Sequence, residues 1–291
     1  MEAERLERFG KQYRRLTHEA LDRGDVEAAK GSQRKLFTQY RTMHRALKRI
    51  LAVTIAASIT EFETRQASDT EAFVAAVDAG DLVLARRVLE EQRDVHRVFH
   101  DAYVDWFAEL LSKLQVEYGT ERLYQVLRDT GGEFAGDFAK WATLTPEELL
   151  DSSVFLQLCH PDGELEVTED DEKYTIVQGL CGTGGRLLAE GRFDGPDALA
   201  RIPIANPASL GLPGLPTYCA HCTVWNSVLS YENEGRPLWV IDHPLGSSCS
   251  IHIYKDPSRI PEEYLAGIRD ERHKSDSAPE GGTAPAASES R

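Results

Sequence analysis

The chain has 291 residues, is 41% hydrophobic and carries a net charge of −15. That apolar share is enough for a core and too high for a disordered chain. No run approaches ~18 consecutive apolar residues, which excludes a membrane-spanning helix, and so acidic a surface repels nucleic acid.

The charge is uneven: residues 1–60 carry 13 Lys+Arg against 7 Asp+Glu, and the remainder carries 20 against 41. The basic segment can dock on the acidic remainder, within one chain or between copies of a homo-oligomer. It can equally present an arginine-rich solvated face. The opening "MEAERLERFGKQYRRL" lacks an apolar signal core. A cytoplasmic location is therefore expected, with the five cysteines as free thiols or metal ligands rather than disulfides.

The first half reads as helical. Residues 20–29, "ALDRGDVEAA", match residues 76–85, "AVDAGDLVLA", at an offset of 56. Asp22, Gly24, Asp25 and Ala29 fall on Asp78, Gly80, Asp81 and Ala85. Each D-x-G-D predicts a helix stop at glycine followed by an aspartate N-cap. The unit is a helical hairpin, and two such hairpins predict a bundle of about four helices. A further helix over about 119–129 stops at Gly131–Gly132. "TPEELL", with Thr145 as cap and Pro146 in the first turn, starts another.

From about residue 151 the pattern shifts toward strands. "GELEVTEDDEKYTIVQGLC" predicts a hairpin, and residues 182–216, rich in Gly and Pro, predict a loop. "CTVWNSVLSY" predicts a helix, "PLWVID" and "CSIHIYK" predict paired strands, and "IPEEYLAGIRDER" predicts a last helix. The fold class is thus α+β: an N-terminal helical bundle built from a repeated hairpin, then a small antiparallel-sheet domain carrying a Cys/His cluster. The expected divisions are a hairpin over 1–66, a bundle region over 67–150, the Cys/His domain over 151–270 and a disordered tail over 271–291.

All five cysteines lie between Cys159 and Cys249, with His160, His221, His243 and His252 among them. The stretch "PTYCAHCTVWN" holds a C-x-x-C pair. Such a pair is half of a zinc site, a redox pair, or a buried apolar turn. The zinc reading takes Cys181, Cys219, Cys222 and Cys249 as ligands, with His221 and His243 as alternates. Four thiolates would close the site; a water in one position would supply a hydroxide. A nucleophilic cysteine activated by a neighbouring histidine, with His221 as its catalytic residue, stays open beside it. Cys159, on an apparent loop, is expected to stand apart.

"CGTGGRL" can expose backbone N–H groups to an anion, with Arg186 holding a carboxylate, or can be a plain flexible turn. In "HRVFHDAYVDW", His100 and Asp105 are a candidate acid–base pair. Trp225, beside the C-x-x-C, is a candidate substrate contact.

The segment "YCAHCTVWNSVLSYENEGRPLWVIDHPLGSSCSIHIYK" resembles the C-terminal part of the four-vinyl-reductase domain and its relatives, among them the L-2-amino-thiazoline-4-carboxylic acid hydrolase family. The resemblance spans about residues 95–257 and rests on Cys219 or Cys222, Gly246 and Cys249. It implies zinc at Cys249 with Cys219 or Cys222. It also implies a site for a small polar amino-acid-like or sulfur-containing molecule, and hydrolysis of a C–N bond. The same fold also implies a second role, a non-catalytic ligand receptor whose zinc is structural.

Overall fold

The computed structural model describes residues 13–161, 165–243, 246 and 248–269. The expected tail, 271–291, lies outside them. The chain divides between Gln92 and Arg93 into two compact units.

The first unit holds α1 (Tyr13–Asp22), α2 (Val26–Asp78) and the start of α3 (Leu82–Gly131). The two D-x-G-D turns are built alike. Gly24 and Gly80 take φ of 72° and 74°, a left-handed conformation that costs glycine no Cβ clash. Asp25 N–H donates to Ala20 O and Asp81 N–H to Ala76 O, both at 2.9 Å. Each aspartate carboxylate then accepts from the third residue on, Ala28 N at 3.0 Å and Leu84 N at 2.9 Å. Small Ala20, Ala29, Ala76 and Ala85 are buried where the helices meet. The repeated turns are therefore present, but the expected four-helix bundle is not. The second helix of the first copy and the first helix of the second copy are one continuous helix, α2, of 53 residues. Residues 37–54 of it are exposed on every side.

The second unit begins within α3, whose regular backbone is interrupted at Gly119 (φ 78°, ψ 175°). It continues through α4 (Ala135–Ala142) and α5 (Pro146–Leu158). A capping box opens α5: Thr145 N–H donates to Glu148 Oε2 at 2.8 Å and Glu148 N–H to Thr145 Oγ1 at 3.3 Å. Four antiparallel strands follow: β1 (Leu165–Glu169), β2 (Lys173–Gln178), β3 (Val240–Asp242) and β4 (Cys249–Tyr254), in the order β1-β2-β4-β3. Between β2 and β3 lie α6 (Gly184–Ala189) and α7 (Ala220–Glu234). The latter widens to π geometry over Val224–Leu229. Helix α8 (Glu262–Ile268) closes the described chain.

Helix α6 falls inside the stretch expected to be loop. Its leading Gly184 argues against a helix by propensity, but packing demands it, as shown below. Ile176 of β2 and Ile251 and Ile253 of β4 point to one face of the sheet. They pack with Leu111, Leu123 and Leu127 of α3, Val224 and Val228 of α7, and Trp239. This core fixes the ends of β2 and β4, where the cysteines stand. Trp239 Nε1 donates to buried Ser153 at 2.8 Å, so the indole is not left unsatisfied.

Candidate functional site

Strand register brings the first two thiols together. Gln178, the last residue of β2, pairs with Cys249, the first residue of β4. Three residues beyond Gln178 the chain reaches Cys181, so two cysteines far apart in sequence line the same cavity and influence each other's titration. Gln178 is itself fixed by donating to Gln157 Oε1 at 2.8 Å in the buried interior.

Helix α6 then wraps Cys181. The sulfur lies 3.2 Å from Thr183 Oγ1 and accepts from the backbone N–H groups of Thr183 and Gly185. These donors and Cys249 favour the charged form, and they hold the Cys181 thiol well below its usual range against the cost of burial. Cys249 moves the opposite way, because Cys181 opposes its ionisation and because it is buried. Of the two, Cys181 is the more acidic thiol.

Glycine is required here by close approach rather than by anion binding. A Cβ on Gly184 would stand 2.7 Å from Cys219 Sγ, and one on Gly182 would stand 2.9 Å from His160 Cβ.

The C-x-x-C pair sits at the start of α7 and is chemically quiet. His221 Nδ1 meets the Tyr218 carbonyl, which only accepts, so this nitrogen carries the proton. His221 Nε2 is then the acceptor, and Cys222, 3.3 Å away, donates its S–H. Burial pushes the Cys219 thiol up to about 12 and the Cys222 thiol well above its ordinary value. His221 is boxed by Phe107, Tyr218 and Trp225, with ring centroids at 5.6, 4.6 and 5.0 Å. Burial lowers it to about 4 and also lowers His243 to about 4. Both are neutral at physiological pH.

Cys181, Cys219, Cys222, Cys249, His160, His221 and His243 line one cavity of about 50 Å³, with Gln157, Gln178, Thr183, Tyr218 and Ser248. No Lys, Arg, Asp or Glu is among its described lining residues. These side chains share one cavity lining, but not the arrangement of a metal centre. Among the described residues, no group of three or more His, Cys, Asp or Glu side chains can hold a metal. A zinc site needs four donors at ~2.0–2.3 Å from one point. Here the candidate donors are directed to other partners: Cys222 to His221, His243 to Thr223 Oγ1, and Cys181 to Thr183 Oγ1. This overturns the expectation of a zinc-assisted C–N hydrolase with Cys181, Cys219, Cys222, Cys249 and His243 as ligands. It overturns the structural-zinc receptor with it.

Other candidates also take different places. Arg186 does not line the cavity. Its guanidinium meets Asp105 at 2.7 Å, Glu190 at 2.9 Å and Asp101 at 3.4 Å, so three carboxylates already occupy the expected carboxylate-binding group. Asp105 serves Arg186 and also Arg192, at 3.4 Å, rather than His100. Trp225 donates from Nε1 to Leu127 O at 2.9 Å and stacks on Phe107, so it serves the core. Cys159 stands exposed and apart.

The partner of His100 is Asp101, with Nδ1 2.9 Å from Oδ1, and its other nitrogen is 2.9 Å from Nδ1 of His160. The carboxylate only accepts, so His100 Nδ1–H donates to it. In the neutral relay His100 Nε2 therefore accepts from His160 Nδ1–H, and the second ring nitrogen of His160 is the proton acceptor. Sequence reading passed over His160 because it adjoins Cys159 in "CHPDG". A signal was present in the three histidines His96, His100 and His160. His96 Nε2 is bonded to Cys159 O at 2.8 Å, which ties α3 to the end of α5 and carries His160 toward His100.

Compared with known proteins, the chain matches no family model, no curated protein and no solved structure. No helix of the described residues is long and apolar enough to cross a membrane.

Proposed function

We propose that the cavity performs thiol-based redox chemistry on a small uncharged oxidant of the hydroperoxide class. Cys181 is the attacking thiolate and Cys249 the resolving thiol. The observation that carries this reading is that Cys181 and Cys249 line one cavity with no Lys, Arg, Asp or Glu among its described lining residues, and that the two thiols are shifted in opposite directions. At ~10–15 Å³ per water-sized group, about 50 Å³ admits only a few heavy atoms. A carboxylate-bearing substrate would find no cation among the described lining residues, and a protein disulfide would be too large.

In the first step the Cys181 thiolate attacks the terminal oxygen of RO–OH. An S–O bond forms, the O–O bond breaks, and RO⁻ leaves. His160 accepts the hydroperoxide O–H proton and passes it to the departing oxygen, and the sulfenate takes up a proton from solvent, so the products are the sulfenic acid and ROH. A protonated relay shares its positive charge between His100 and His160, with Asp101 beside it to stabilise that charge. In the second step Cys249 sulfur attacks the sulfenic sulfur. The S–S bond forms and hydroxide departs with the thiol proton as water. Two equivalents of an external small thiol then return the disulfide to the dithiol and become a disulfide themselves. Cys219 and Cys222 keep their protons and take no part.

The test treats the protein with stoichiometric hydrogen peroxide, then maps the cysteines by mass spectrometry. Exposed Cys159 is the internal reference. The expected product is a Cys181–Cys249 disulfide. In Cys249→Ser, a sulfenic acid trapped at Cys181 is expected instead. Oxidation of Cys181 no faster than that of Cys159 would refute the proposal.

A further inference from the structure

Helix α2 poses a separate problem. At ~1.5 Å per residue, the segment 37–54 is a bare rod of about 27 Å. It carries Phe37, Tyr40, Met43, Leu47, Ile50 and Leu51, between 45% and 60% exposed. At 3.6 residues per turn these six fall within an arc of roughly 140°. That is an amphipathic face with no described residue covering it, and such faces mark association surfaces.

The charges of the same helix say what covers it. Residues 30–49 carry seven Lys+Arg and no Asp or Glu, whereas residues 61–78 carry five Asp+Glu and one Arg. Two parallel copies would set basic against basic and acidic against acidic. Two antiparallel copies set each basic half against an acidic half and lay the apolar arc of one, residues 37–51, along residues 59–73 of the other. We infer that α2 pairs with α2 of a second copy of this chain in an antiparallel coiled coil centred near residue 55. In this register Arg49 of one copy faces exposed Glu61 of the other.

The full chain is tested by sedimentation equilibrium. A dimer is expected, and Leu47→Glu with Leu51→Glu should weaken it at least a hundredfold. Circular dichroism checks that helicity is retained. Orientation is read from added cysteines under oxidation, with the unmodified chain as control for the native thiols. Thr54→Cys, near the two-fold axis, should cross-link two copies, whereas Tyr40→Cys should not. A monomer, a dimer unmoved by the double substitution, or equal cross-linking at both positions would each overturn the inference.

Discussion

Acid should unfold the second unit through two histidines that take no part in the chemistry. His221 and His243 titrate near 6.5 when unfolded and at about 4 when folded, because burial disfavours the imidazolium. Between these values the unfolded chain binds more protons than the folded one, so stability rises with pH. The contribution is fully present above about 6.5 and is lost as pH falls toward 4. At pH 5 each histidine has surrendered about 2 kcal/mol, so the pair removes about 4 kcal/mol relative to pH 7. That is a large part of the ~5–15 kcal/mol typical of a domain. Urea titration at pH 7 and pH 5 checks this by tryptophan fluorescence. Trp106, Trp141, Trp225 and Trp239 all lie in this unit. His221→Phe and His243→Leu will each lower stability at pH 7 by removing packing or hydrogen bonds, but each should cut the pH 7 to pH 5 loss by about 2 kcal/mol. A double variant with the same pH dependence as the parent would refute the reasoning.

Three further outcomes follow from particular contacts. Gly184→Ala places a methyl 2.7 Å from Cys219 Sγ; it should cost about 1–3 kcal/mol in a thermal melt and slow Cys181 oxidation by shifting α6 away from the sulfur. Asp101→Asn removes the acceptor that orients His100; peroxide oxidation of Cys181 should slow by about tenfold or more, while Arg186 keeps Asp105 and Glu190 and the fold holds. Thr145→Ala removes the capping box of α5 and should lower urea stability by about 1 kcal/mol, with no effect on thiol reactivity.

The parts of this molecule that were legible in the sequence are those whose physics is local. The D-x-G-D turns were readable because glycine and aspartate act on their own few residues, and the capping box "TPEE" for the same reason. The confinement of cysteine to the second half pointed to a metal centre, whereas four of the five cysteines line a cavity without a metal-binding group among the described residues. What escaped was set by side-chain direction in three dimensions. Asp101 and Asp105 stand one helical turn apart, and spacing alone could not say that Asp101 serves His100 while Asp105 serves arginines. In "CGTGGRL" the glycines read as an anion-binding loop or a plain flexible turn, yet Gly182 and Gly184 are small because His160 and Cys219 press against them. The C-x-x-C reads as metal ligands, a redox pair or a buried turn. Burial raises both of its thiols, whereas the thiol held low is Cys181, which has no motif spacing. Helix α2 also defied local reading, since nothing in one hairpin reveals that its second helix continues as the first helix of the next.

The pairing of Gln178 with Cys249 has a thermodynamic corollary. A bond between Cys181 and Cys249 would staple a loop of roughly 70 residues, and chain entropy alone values such a staple at about 4 kcal/mol. Oxidation would thus harden the very scaffold that carries it out. The melting temperature of this unit should then act as a gauge of its electron balance, higher in the spent form than in the reduced one.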